Sequence, residues 1–121
     1  MSIRAVVYSS PHEDGQFIAH CLELDVIGSD ASVEGAIEHM MEAVETQVDV
    51  HRREYTQLFF PAPPAVWQKY NQAERARRRI PEELLLRVCE RANKRLQYGS
   101  PSELFDRLDN VVGTAEALAC V

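Results

Sequence analysis

No stretch of this chain is apolar for long enough to cross a bilayer. The first apolar runs, residues 5–8 and 17–24, fall far short of the roughly 20 residues a spanning helix needs. Met1-Ser2-Ile3-Arg4 leads into no signal-type apolar core, so the expectation is a cytoplasmic protein with no membrane partner. Cysteine is scarce: Cys21, Cys89 and Cys120 form an odd set without Cys-x-x-Cys spacing. That pattern suggests neither a disulfide framework nor a zinc ribbon, and reads as reduced thiols, with Cys21 and Cys89 as core fillers. Only five glycines are present, and none builds a phosphate-cradling loop or a nucleophile elbow. The four histidines show no metal-ligand spacing, and His20 and Cys21, adjacent on an expected strand, face opposite sides. The expectation is therefore no catalytic residue, no metal, no cofactor and no small-molecule substrate.

What the chain does have is one domain's worth of sequence, 121 residues with 45% hydrophobic and 26% charged side chains, in the range of an ordinary folded protein. Its net charge of −6 hides an asymmetry. Residues 1–60 carry 3 basic and 11 acidic side chains, whereas residues 61–121 carry 10 basic and 8 acidic. Different partners are implied for the two halves.

Residues 2–9 alternate as a strand, Asp14-Gly15 supplies turn chemistry, and residues 16–24 resume an extended run, predicting an antiparallel hairpin. Val26-Ile27-Gly28 reads as a short third strand. From Val33 to Arg53 the period becomes helical, with Val33, Ala36, Ile37, Met40, Met41, Val44 and Val48 on one stripe that must cover the sheet. Asp30 or Ser32 can cap this helix, and Gly35 reads as a flaw of about 0.5–1 kcal/mol. Residues 56–60 are β-prone and are expected to return to the sheet before Pro61-Ala62-Pro63-Pro64. Beyond the prolines, helical spacing recurs at Val66, Trp67, Tyr70, Ala73 and Ala76, then at Leu84, Leu85, Val88, Cys89, Ala92 and Leu96. A third helix over residues 101–112 is signalled by the Ser100-Pro101-Ser102-Glu103 capping box. The expected fold class is α+β: a small antiparallel sheet of three or four strands covered by one long helix, in the order β-β-β-α-β, with about three C-terminal helices. The expected organisation is an α+β domain over residues 1–60, a proline linker at 61–64, and a helical region over 65–121.

The segment GQFIAHCLELDVIGSDASVEGAIEHMMEAVE resembles the HicB-like antitoxin family, through Gly15, Phe17, Ala19, Cys21, Glu23, Leu24, Gly28, Ser32, Ala36, Ile37 and Ala43. PAPPAVW is similar to the proline-rich exit strand of many members. Where members commonly complete a capping box with Glu, this chain has Gly35. The resemblance spans about half the chain and carries fold more directly than activity. It implies a degenerate ribonuclease H-like unit that oligomerises and binds a small, mRNA-cleaving HicA-like toxin. Many members also repress their own operon through a C-terminal DNA-binding module, and others are orphans without a toxin.

Three groups of residues are candidate sites. Glu34, Glu38, Glu42, Glu45 and Asp49 align on the helix face opposite the apolar stripe, a field suited either to a basic toxin or simply to solvent. Arg75, Arg77, Arg78 and Arg79 form the densest basic run, within a stretch 69–98 holding 9 basic and 4 acidic side chains. Read as a strand preceding two helices, the run is a candidate for operator DNA; read as the end of the Trp67 helix, which its period favours, it belongs to a helical or dimerising appendage. Trp67 and Tyr70, one turn apart, are candidates to stack on bases or anchor a protein interface, or, the favoured reading, to pin the following helix back on the sheet. Glu23 and Asp25 invite comparison with magnesium-binding carboxylates, but one strand-end pair lacks the three or four converging groups such chemistry needs.

Overall fold

The computed structural model describes residues 2–95 and 108–121. In chain order its elements are β1 (Ile3–Ser9), β2 (Phe17–Cys21), β3 (Ile27–Asp30), α1 (Val33–Glu54), α2 (Pro64–Arg75), α3 (Glu82–Arg95), β4 (Leu108–Gly113) and a short α4 (Ala115–Ala119). The class is α+β. One mixed sheet has the order β3-β2-β1-β4, with β1–β2 and β2–β3 antiparallel and β1–β4 parallel. Gly15, at φ +76°, makes the β1–β2 turn, where a side chain would be strained.

The alternation of β1 decides the layers. Ile3, Ala5 and Val7 face the larger core with the whole α1 stripe from Val33 to Val48, while Val6 faces a second core with Leu22, Val66, Tyr70, Ala73 and Val112. Helix α1 packs chiefly on β3 and β2, α3 joins it on the same side, and α2 covers the opposite face of β1 and β4. The sheet is thus covered on both faces, not one.

The close approach of α1 depends on Gly28. A Cβ there would lie well inside 3.0 Å of the Met40 nitrogen, the Ala36 carbonyl oxygen and the His39 carbonyl carbon, all backbone atoms. Gly35 also leaves room for the helix cap. Ser32 Oγ accepts from Gly35 N–H at 3.0 Å, while Asp30 Oδ2 accepts from Ser32 N–H at 3.0 Å and Ser32 Oγ–H at 2.7 Å. A side chain at 35 would strike the Asp30 carboxylate and open this cap.

Two expectations are corrected. Residues 56–60 form no strand: the place beside β1 is filled by β4, and the segment runs past the end of β2, with Phe60 N–H on Glu23 O and Ala62 N–H on Leu22 O. The expected helix over 101–112 does not reach its last residues, because 108–113 is a strand; residues 96–107, with the capping box, lie outside the described residues. The apparent helical spacing of Leu108, Val111 and Val112 yields to β-branched residues that gain ladder bonds to β1. Because β4 pairs with β1, the chain before and after the prolines shares one sheet and one core, and the boundary at 61–64 separates no independent layers.

Candidate functional site

The acidic face of α1 divides into two parts. Glu34 and Glu38 reach α3: Arg87 Nη2 donates to Glu34 Oε1 at 2.6 Å, Arg91 Nη2 to Glu34 Oε2 at 2.8 Å, and Arg91 Nε to Glu38 Oε2 at 3.0 Å. These acids hold two helices together. The hydrogen bond from Arg87 draws the Glu34 carboxyl below the ordinary glutamate range. Farther along the helix, Glu42 is exposed, Glu45 is half-buried, and exposed Asp49 pairs with Arg53 one turn on at 3.0 Å.

This clamp sets an acid dependence. A carboxyl with a lowered native pKa contributes stability that is complete above the unfolded value, 4.5 for glutamate, and is lost as pH falls through the native value. The thermal midpoint should therefore fall as the pH drops below about 4.5, and Glu34→Gln should be less stable near neutrality and lose part of that slope. Because the pair is partly solvated, the neutral-pH difference should be about 1 kcal/mol or less. Thermal melts of both chains across this range check it; parallel curves would contradict the assignment.

The basic run adopts the layout its period favours. Helix α2 ends at Arg75, Ala76 caps it, and Arg77 turns left-handed at φ 56°. Residues 78–80 then lie along the outer edge of β4, with Ile80 N–H on Val111 O and Gly113 N–H on Arg78 O, both at 2.9 Å. The strand expected at residues 75–80 in the alternative layout reduces to a single bridge, Arg79–Val112. Arg75, Arg77 and Arg79 are exposed and Arg78 is half-buried. Arg79 makes a loose 3.5 Å pair with Glu74, a carboxylate that also accepts from Asn110 Nδ2 at 2.6 Å.

Trp67 and Tyr70 act within the chain. Their rings meet edge to face at 6.3 Å, and the Arg4 guanidinium lies 4.9 Å from the Trp67 centroid and 5.7 Å from that of Tyr70. Arg4 is held in turn by Glu23, Nε to Oε2 at 2.8 Å and backbone N–H to Oε1 at 2.6 Å. Tyr70 OH accepts from Asn110 of β4 at 2.9 Å. Helix α2 is thereby tied to both β1 and β4.

No family model, no curated protein and no solved structure matches this chain. Its chemistry therefore rests on the residues themselves.

The pair Glu23 and Asp25 does not converge: Glu23 turns to Arg4, while Asp25 turns to His20, Oδ1 to Nε2 at 2.7 Å. His20 is 8% exposed and its other ring nitrogen, Nδ1, meets Tyr8 OH at 3.0 Å. The result is a Tyr8–His20–Asp25 chain on the α2 side of the sheet, with Lys69 Nζ 5.2 Å from the Tyr8 ring centroid. Burial, followed by the charge of Asp25, pushes the Tyr8 hydroxyl up, which favours its neutral form as a hydrogen-bond partner. Asp25 is left-handed at φ 53°. Sequence reading missed this chain, although period 2 puts Tyr8 and His20 on one face; only the pairing register brings them diagonally together. Burial pushes the Cys21 thiol up to about 11, a core filler with little thiolate at neutral pH. Among the described residues no three His, Cys, Asp or Glu side chains are grouped to hold a metal.

The arrangement separates charge. Acid-bearing α1 lies over β3 and β2, and the arginine turn lies on the far edge of β4, two to three strand spacings away.

Proposed function

We propose that this chain is a HicB-like, non-catalytic binding protein whose N-terminal α+β portion engages a small basic partner of the HicA toxin type. The observation that carries this reading is the location of the residues behind the resemblance. Phe17, Ala19 and Cys21 lie in the core beneath α1, Gly28 admits the helix, Ser32 caps it, and Ala36 and Ile37 are buried against the sheet. The motif therefore builds one strand–strand–helix unit. That unit leaves Glu42 and Asp49 on an exposed helix face of the sign a basic RNA-cleaving protein would meet. Glu34 and Glu38 take little part in this contact, because they are half-buried against α3, held by Arg87 and Arg91. Assembly into a homo-oligomer belongs to the same reading.

Co-expression with a HicA-like toxin encoded beside it tests the proposal. The expected result is a stable complex in gel filtration with RNA cleavage silenced, weakened by the double change Glu42→Lys, Asp49→Lys in a chain whose thermal midpoint is kept. Separate elution with cleavage unaffected would remove the antitoxin reading.

A further inference from the structure

The arginine turn has a property that the protein-partner reading does not use. Arg4, Arg53, Arg79, Arg87 and Arg91 each have a carboxylate oxygen within 4.0 Å, whereas Arg75, Arg77 and Arg78 have none among the described residues. Arg52, exposed at the end of α1, is likewise without one, but only at residues 75–78 do three such arginines fall within four positions, so that their charges add at one place. The turn is also held firmly. Arg77 N–H bonds Glu74 O, Arg78 N–H bonds Ala73 O, and residues 78–80 are fastened to β4.

We propose that residues 75–78 bind the phosphate backbone of nucleic acid without reading its sequence, Arg75, Arg77 and Arg78 supplying the contacts. Arginine is suited to phosphate by its planar fork of donors. Base reading in the major groove needs a helix or a two-stranded ribbon inserted there, and this turn is neither, being closed by α2 on one side and β4 on the other. Arg79 contributes little, because Glu74, itself held by Asn110, lies beside it.

The net charge of −6 does not forbid this. Two to three strand spacings, about 10–14 Å, separate β4 from the strands β2 and β3 on which α1 lies. That exceeds the screening length of about 8 Å at physiological salt, so the acids of α1 weigh little here. Nearer by, residues 74–83 hold four arginines against Glu74, Glu82 and Glu83, and Glu74 is drawn to Arg79 and Asn110, which leaves the turn net positive. A membrane surface is the less suitable anion, since the turn itself carries none of the large apolar residues exposed among the described residues, and a peripheral membrane site pairs its basic charge with such side chains.

The test is fluorescence anisotropy of labelled short DNA duplexes titrated with the full chain at several salt concentrations, one duplex of scrambled sequence and one from upstream of the chain's own gene. The expected result is equal binding to both, with log K falling against log salt at a slope between about −2 and −3, the value for three phosphates. Arg75→Gln, Arg77→Gln, Arg78→Gln together should weaken binding at least about tenfold at low salt with an unchanged thermal midpoint, and Arg79→Gln should change it less than about twofold. Four outcomes would overturn the proposal: no binding at low salt, a triple variant that binds as the parent does, a preference of tenfold or more for the upstream duplex, or equal affinity for anionic lipid vesicles. A chain that fails to hold a toxin and still shows this behaviour would lose the antitoxin reading and keep this one.

Discussion

A fragment ending at Pro64 will not fold cooperatively. It contains all three antiparallel strands and α1, the whole unit that the resemblance covers, yet it lacks what closes the structure around β1. Val6 and Leu22 are fully buried only because α2 and β4 bring Val66, Tyr70, Ala73 and Val112 against them. On the other face Ile80, Leu84, Val88, Leu108 and Val111 complete the core that Ile3 and Ala5 begin. Burial of each large apolar side chain contributes about 1.5–3 kcal/mol, so losing these contacts removes an amount comparable with a domain's whole net stability of about 5–15 kcal/mol. The ordering entropy of the deleted residues is also saved, but the bared edge of β1 and the bared side chains of Val6 and Leu22 remain in the fragment. Circular dichroism should show weak helix and a broad, non-cooperative melt, against a sharp transition for the full chain. A sharp melt of the fragment would mean that residues 1–64 are an independent domain after all.

Gly28→Ala should be the most damaging single methyl in the chain. Overpacking usually costs about 1–3 kcal/mol because side chains give way, but at Gly28 the three nearest atoms in the path are all α1 backbone, so the helix itself must lift. A loss of at least about 3 kcal/mol is expected, lowering the thermal midpoint by about 10 °C or more. Gly15→Ala is the informative comparison. Its space is open, its φ is +76°, and its cost should be only about 1 kcal/mol, from backbone strain alone. If the two substitutions shift the midpoint equally, the close approach of α1 to β3 is not what Gly28 provides.

Some of this was legible residue by residue. The α1 stripe is long enough for its 3.6 period to be unambiguous, and every member, from Val33 to Val48, is buried. Ser32 caps α1 and Gly15 turns the hairpin, both from short-range chemistry. The reading failed where the deciding partner is far along the chain. Residues 56–60 and 108–113 are both β-prone, and nothing local says that the second takes the place beside β1. Gly35 looked like a weak point because the Asp30 carboxylate that fills its missing side chain is visible only once the cap is folded. Glu34 and Arg87 are 53 residues apart, so an acidic helix face that reads as free turns out to be half clamped.

By itself, then, the sequence determined the elements whose signals lie within one turn or one hairpin: the first three strands, the long amphipathic helix, its cap, and the uneven charge of the two halves. Those depend on backbone propensity and on a repeating apolar period, which are properties of neighbouring residues. The tertiary structure alone decided that a C-terminal strand lies parallel to β1, that the sheet is covered on both faces, that Tyr8, His20 and Asp25 meet, and which charges are neutralised. Each of these follows from competition among distant segments for one buried position or one counter-charge. Such a competition is settled by total burial and pairing across the fold, a quantity that no local window of sequence contains.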